Sequence, residues 1–497
     1  MKKHQLLYVS VLLCLTTAMS MAQPFSSYPL KGKITHTQPF TGIVFWADNT
    51  EALDALGNKV QLEFAYMLPA DVVSDSGDYD WSKVESILNQ AKVRGHQCIL
   101  RFRYTYPGIT KASVPSYLLK RVDYTSRIAK VEGLDTFLPD WSNAELKRFT
   151  LEFFTKFAAR YDRDPRLAYL QVGFGSYAEY HLFDGPFELG NTFPDKAFQE
   201  AFLNHIHSRM VITPWSISID AADGGVSPFE AKPILKNLSF GLFDDSFMHK
   251  EHSLNDSEYN RASWLFFGTE RWKKSPAGGE FSYYTEYDQE HALDLPNGPY
   301  GRSFESFAAQ YHLSYILGSD QYQYQSPERI GQASRALGYH FVIKSYKSNG
   351  ETTEVEIQNT GIAPIYYEVY PTLGSTRSTT SLKGLIGTEI RKCIIDKGIM
   401  PGETLTLTSD KLLPGQYIEY DADLSLTVTQ TEDETFDRTI QMYPQPVKDI
   451  LYLSTSCHWQ LHHLQGYKIM NGYGNTIPVG TLSSGVYMLH MGSTWSK

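Results

Sequence analysis

Cysteine is scarce, with four in 497 residues, and Cys14 falls inside an N-terminal apolar run without a lipobox-like arrangement around it. The other three, Cys98, Cys393 and Cys457, lie far apart. Their number and spacing exclude a disulfide framework or a thiolate zinc site, so stability must come from packing. Past residue 22 no stretch is long and apolar enough to be a transmembrane segment. Positive charge is thin as well: 45 Lys and Arg stand against 55 Asp and Glu, a net charge of −10 with no basic cluster, which argues against nucleic acid as a partner. No glycine-rich phosphate loop follows a strand, and no G-x-S-x-G elbow is present. His205 and His207 diverge on a helix, and His249 and His252 form a lone pair. Asp220-Ala-Ala-Asp223-Gly-Gly has too few acids, wrongly spaced, for a calcium loop. Neither a metal nor another cofactor is expected.

What the chain does have is length for two or three domains and an aromatic content of 14%, with 33 tyrosines and 8 tryptophans. Half-polar rings suit sugar faces as well as β-rich packing. Residues 1–22 read as a secretory signal: Lys2 and Lys3, an apolar run from Leu6 to Leu15, and Ser20-Met21-Ala22 as a small-residue cleavage site.

From Thr41 onward short apolar runs alternate with helical stretches. Strands are predicted at Thr41–Asn49, Leu62–Leu68, Gln97–Tyr106, Leu167–Phe174, Trp215–Asp220, Leu238–Phe247, up to Glu280, and at Gln321–Gln325. Helices are predicted at Trp81–Val93, from Asp140 to Tyr161, near Lys196–Arg209 and at Phe304–Leu317. This is the α/β pattern of a (β/α)8 TIM-like barrel, assigned to 23–338, with polar residues at the strand exits where such barrels keep their chemistry. From His340 the texture becomes alternating strands broken by Pro-Gly, Asn-Gly and Thr-Gly turns, an antiparallel β-sandwich over 339–429. A polar, acidic linker (430–439) precedes a small C-terminal β-domain (440–497).

Two acids stand out. Leu167–His181, LAYLQVGFGSYAEYH, runs from a buried strand through two glycines to Glu179, set among Tyr177, Tyr180 and His181. Ser275–Tyr284, SPAGGEFSYY, leads small residues into Glu280 with Tyr284 just after, and Glu286 and Asp288 are its rivals. Hydrolysis of a glycosidic bond needs two carboxyl groups across that bond, about 5 to 5.5 Å apart for retention and about 6.5 to 9.5 Å for inversion. Asp220, Asp244 and Asp245 end two further strands, where they would hydrogen-bond sugar hydroxyls or cap the next helix. Asp48 stands at the end of the first predicted strand. Trp46, Tyr104, Tyr177 and Tyr180 are candidate sugar platforms. Of Arg101 and Arg103, expected on opposite faces of the third strand, one should face the barrel interior and hold a carboxylate ionised.

The arrangement resembles the clan of retaining glycosidases with an acid/base glutamate after the fourth barrel strand and a nucleophile glutamate at the seventh. That resemblance implies Glu179 as general acid/base and Glu280 as nucleophile, acting on an oligo- or polysaccharide. Ala178 stands where the clan usually has asparagine. Gly175–His181, GSYAEYH, resembles the G-x-W-G-E-W-H signature of secreted bacterial barrel-plus-sandwich proteins of uncharacterised activity. A non-catalytic glycan-binding or adhesive surface protein is the alternative expectation. At the C-terminus, Tyr443-Pro-Gln-Pro-Val-Lys-Asp-Ile-Leu-Tyr452, Tyr467-Lys-Ile-Met-Asn-Gly-Tyr-Gly474 and Leu482-Ser-Ser-Gly-Val-Tyr487 resemble a type IX secretion sorting domain. This implies the type IX machinery as a partner, with export across the outer membrane to the medium or the cell surface.

Overall fold

The apolar runs between Gly42 and Leu317 pair in parallel and close on themselves. The strands are β1 (Gly42–Trp46), β2 (Leu62–Met67), β3 (Gln97–Phe102), β4 (Leu167–Gln171), β5 (Trp215–Ser218), β6 (Phe240–Phe247), β7 (Ala277–Phe281) and β8 (Tyr315–Leu317). Each neighbours the next, and β8 returns to β1 through Tyr315–Gly42 and Leu317–Val44, so the sheet is a closed eight-stranded barrel. The computed structural model describes residues 23–252, 258–425, 442–443, 447–464 and 467–492. The expected leader (1–22), the linker (430–439) and parts of the sorting motif (444–446, 493–497) lie outside them.

Helices cover the outside because each carries an apolar stripe. The helix Ala144–Tyr161 starts where the Asn143 side chain accepts from the amides of Glu145 and Leu146, a cap worth about 1 kcal/mol. It buries Phe149, Phe153, Phe154 and Phe157, and the Phe102 ring of β3 meets Phe153 edge-on at 4.8 Å.

The eighth strand differs from the expectation. Gln321–Tyr324 is a short helix, and β8 lies earlier, inside the stretch expected to be helical. The preceding helix, Phe304–Tyr311, ends at His312, whose left-handed backbone (φ 53°, ψ 48°) turns the chain and frees Tyr315-Ile-Leu to pair with β1.

Antiparallel sheets follow the barrel. Phe341–Ser348, Thr353–Asn359 and Ile390–Ile395 pair in one sheet, and Tyr370–Leu373 pairs with Thr376–Arg377 and Leu405–Thr408 in another. Between the second and third strands of the first sheet the chain is extended as a strand only at Tyr370–Leu373 and Thr376–Arg377. Two N-terminal strands assigned by sequence to the barrel segment also belong to this sandwich: Ser26–Ser27 pairs with Ser348 and Lys347, and Leu30–Gly32 with Ala422–Leu424.

The sandwich closes the N-terminal end of the barrel. One core runs through both, joining Val44, Leu62, Ile99 and Tyr169 of the barrel to Phe341, Ile357, Tyr367 and Leu407. The Tyr367 hydroxyl donates to Ala168 O of β4, and Lys411 Nζ reaches Leu167 O. Chemistry is therefore left to the opposite, C-terminal end.

The C-terminal unit is antiparallel too. Ile450–His463 pairs with Lys468–Pro478 along one edge and with Met442–Tyr443 and Tyr487–Gly492 on the other, around Leu451, Leu453, Trp459 and Ile477.

Candidate active site

Gly173 and Gly175 end the apolar run of β4, and the chain folds straight back on itself there. Phe174 and Gly175 amides both donate to Glu179 O, at 3.0 and 2.7 Å, and Glu179 N donates to Ser176 O at 3.0 Å. A Cβ on Gly173 would lie 2.1 Å from Ala178 O, and one on Gly175 would lie 2.5 Å from His181 O, so no other residue fits this turn. Tyr177 and Ala178 take positive φ (58° and 59°), a backbone cost of about 1 kcal/mol each or more that the surroundings must offset. The result is that Glu179 points back over the barrel axis rather than out along the strand.

Arg101 meets it there. Its Nη1 donates to Glu179 Oε1 at 2.6 Å, to Tyr66 Oη at 3.1 Å and to Tyr177 O at 3.1 Å, while Nε donates to Gln171 Oε1 at 2.7 Å. Gln171 in turn donates to Tyr315 Oη at 2.7 Å. The guanidinium lies 4.2 Å from the Phe243 ring centre. Arg101 and Glu179 are almost fully buried, so this is an ion pair inside the barrel mouth.

Above them opens a cavity of about 1040 Å³. Glu179 and Glu280 both line it, with Trp46, Tyr66, Tyr106, Tyr177, Tyr283 and Tyr284 as aromatic walls and Asp245, Ser246 and His181 among the polar ones. The two glutamates thus share one opening, from the ends of β4 and β7. Burial pushes Glu280 up to about 8, with Arg101 pulling the other way. Burial, then the nearby Asp245, drives Glu179 well above the usual carboxylate range despite Arg101. Asp220 is pushed up to about 8 by burial and by Asp245.

Several expected site residues stand elsewhere. Asp48 is exposed past β1 and does not line the cavity. Tyr104 is buried under the helices, its ring 5.0 Å from Trp141 and its hydroxyl 3.1 Å from Thr150 Oγ1. Tyr180 is buried against Phe174 and Phe193. Neither tyrosine can present a face to a sugar. Asp244 points outward: Trp264 Nε1 donates to it at 2.8 Å, and His252 Nε2 lies 2.6 Å away. Its neighbour Asp245 faces the cavity, because consecutive residues of β6 alternate and Phe243, two before it, lies against Arg101.

The expectation for the arginines needs a different reason. Residues two apart on a regular strand share a face. What separates them is that β3 ends at Phe102: the Arg103 amide makes one last bond, to Met67 O at 2.9 Å, and its guanidinium lies 4.4 Å from the Tyr106 ring. Of the rivals to Glu280, Asp288 is engaged by His249, Ser282 and Tyr300.

Sequence reading missed Tyr66, Tyr106, Tyr283 and the hairpin Arg127–Val131 with Leu134–Leu138, whose tip brings Glu132 and Gly133 to the cavity. Tyr177 Oη donates to Glu132 Oε2 at 2.9 Å, and His181 Nε2 lies 3.4 Å from Glu132 Oε1. The signal was present as two alternating runs around Glu-Gly. The mouth also gathers Glu179, His181, Asp220 and Asp245, with one donor atom from each within 4.8 Å of the others.

No protein-family model matches the chain, and no curated protein matches it. Among solved structures, the catalytic domain of β-amylase from Paenibacillus polymyxa is similar at 10% identity and a TM-score of 0.37, covering 60% of this chain and 99% of that one. An exo-β-N-acetylglucosaminidase from Vibrio harveyi, in complex with N-acetylglucosamine, is similar at 10% identity and a TM-score of 0.35, covering 60% of this chain and 55% of that one. An endoglucanase from Pseudomonas stutzeri is similar at 9% identity and a TM-score of 0.34, covering 62% and 96%. These likenesses are loose, and the barrel assignment rests on the strand pairing above.

Proposed function

We propose that this protein is a carbohydrate-active enzyme, a glycoside hydrolase that works by a retaining two-carboxylate mechanism. The observation that carries the reading is that Glu179 and Glu280, from β4 and β7, line a single aromatic-walled cavity. Glu280 attacks the anomeric carbon while Glu179 gives its proton to the departing oxygen, leaving a glycosyl ester on Glu280. Water, giving its proton to Glu179, then opens that ester. Burial and Asp245 keep the proton on Glu179 until it is needed. Arg101, 2.6 Å away, takes up the negative charge that appears when the proton leaves. Trp46, Tyr66 and Tyr106 supply flat faces for sugar rings.

The test is turnover on a glycan library by the wild type, Glu179→Gln and Glu280→Gln, with product anomers followed by proton NMR. Loss of turnover in both variants and retained configuration support the reading. Turnover that survives both substitutions rejects it, and glycan binding without turnover in the wild type leaves the adhesive alternative in its place. We also propose export by the signal segment and type IX sorting, on the strength of the motifs quoted above. Fractionation of cells carrying the chain with and without 440–497 tests this.

A further inference from the structure

We propose that Glu179, His181, Asp220 and Asp245 bind one divalent cation of borderline character, Mn²⁺ or Zn²⁺, at the rim of the barrel interior. One donor atom from each of the four lies within 4.8 Å of the others. An ion held at about 2.0–2.2 Å by such ligands brings them to about 3–4 Å of one another, so only small side-chain movements separate the present arrangement from a coordination shell. Three carboxylates crowded together would alone mean little. Two further observations point to an ion.

The first is an orphaned oxygen. Glu179 is 1% exposed, and its Oε1 is taken by Arg101, yet Oε2 receives no hydrogen bond among the described residues. Its neighbour there is a second acid, Asp245, and two carboxyl groups facing each other inside a protein need a shared proton or a cation between them. The second is the setting of His181. Its Nε2 stands 3.4 Å from Glu132 Oε1, outside the cluster. Imidazoles that hold metals commonly stand beside a carboxylate outside the coordination shell in this way.

The donor set decides the class of ion. Calcium and magnesium favour all-oxygen shells, whereas an imidazole with three carboxylates suits Mn²⁺ or Zn²⁺. The cluster adjoins the open cavity, which gives an ion a way in. Sequence spacing could not show the site, because its ligands come from the turn after β4 and from the ends of β5 and β6.

The inference goes beyond the proposed hydrolysis and does not depend on it. An ion on Glu179 takes the place of the proton that Glu179 would donate, so a loaded protein should turn over glycans more slowly and recover with chelator.

The experiment uses the full chain, stripped with EDTA and titrated with MnCl2 and with ZnSO4 by calorimetry. One ion should bind per chain, about 10- to 100-fold more weakly in Asp220→Asn and Asp245→Asn, and unchanged in Glu280→Gln and Asp48→Asn. Circular dichroism checks that each variant is folded. For the wild type alone, X-ray absorption at the metal edge should show one nitrogen and otherwise oxygen neighbours. Substoichiometric binding, equal binding by the folded Asp220→Asn/Asp245→Asn double variant, or a metal edge without an imidazole would each overturn the proposal. Because Glu280→Gln should abolish hydrolysis but keep the ion, failure of one reading is distinguishable from failure of the other.

Discussion

The two ends of the barrel handle buried charge in opposite ways. At the N-terminal end Lys411 is sunk between sandwich and barrel, and its ammonium donates to Asp164 O at 2.6 Å, Leu167 O at 3.2 Å and Thr213 Oγ1 at 3.1 Å. All three of its protons have acceptors. At the C-terminal end Arg101 sits between Glu179 and Glu280, Asp220 and Asp245 crowd Glu179, Glu179 Oε2 has no donor among the described residues, and the turn before it runs through two residues at positive φ. A satisfied buried charge holds a structure together. Acids crowded against one another, kept in place by backbone strain and glycine contacts, cost stability and mark a place kept for chemistry.

The largest expected effect lies at the satisfied end. Lys411→Met should destabilise the barrel and sandwich by about 3 kcal/mol, because two carbonyls and a hydroxyl lose their donor in a buried interface. Urea unfolding measures it. A loss under about 1 kcal/mol would break the contrast drawn here.

The next effect is one of pH. Folded Glu280 keeps its proton up to about 8, against 4.5 as the ordinary value. Between those two values the unfolded chain has released a proton that the folded chain retains, so this residue lowers stability as pH rises from about 4.5 to about 8 and adds no further slope above that. Glu280→Gln removes the term. The variant should match the wild type near pH 4 and exceed it by about 2 kcal/mol at pH 8, a figure discounted from the full shift for relaxation around the charge. A constant difference across that range would sink the assignment. The same ionisation predicts turnover that climbs with pH towards 8, since a nucleophile must be deprotonated.

Asp245→Asn should reverse the sign seen with Lys411→Met. Taking one negative charge from beside Glu179 and Asp220 is expected to raise stability by about 1 kcal/mol at pH 7 while turnover falls at least about tenfold. Thermal melts and initial rates on the same preparation decide it, and a destabilised variant would mean that Asp245 serves the fold.

How much of this was legible in the chain depends on how local its cause is. Seven of the eight barrel strands announce themselves as apolar runs bounded by glycine, proline or acid. The eighth, Tyr315-Ile-Leu, is three residues long and separated from a helix by three residues, the first of them a left-handed His312. Glu179 and Glu280 could be picked out because strand exits concentrate chemistry. Tyr104 and Tyr180 could not be told from Tyr106 and Tyr177, because which side of a loop a ring takes is set by packing against Trp141, Phe174 and Phe193 from distant elements. The choice between Asp244 and Asp245 was within reach of strand alternation, given that Phe243 faces inward.

The smallest effect sharpens the same distinction within one strand exit. Trp46 lines the cavity at the end of β1, and Asp48, two residues on, is exposed and away from it. Trp46→Ala should weaken glycan binding by about 1 kcal/mol, the worth of a stacked aromatic face. Asp48→Ala should change both stability and binding by less than about 0.5 kcal/mol, as expected for a surface residue outside any cap, pair or site. Isothermal titration with one bound glycan gives the two binding changes, and urea unfolding gives the stability. If Asp48→Ala weakens binding as much as Trp46→Ala does, the saccharide path extends over the β1 exit, and the aromatic walls of the cavity are only part of the surface it follows.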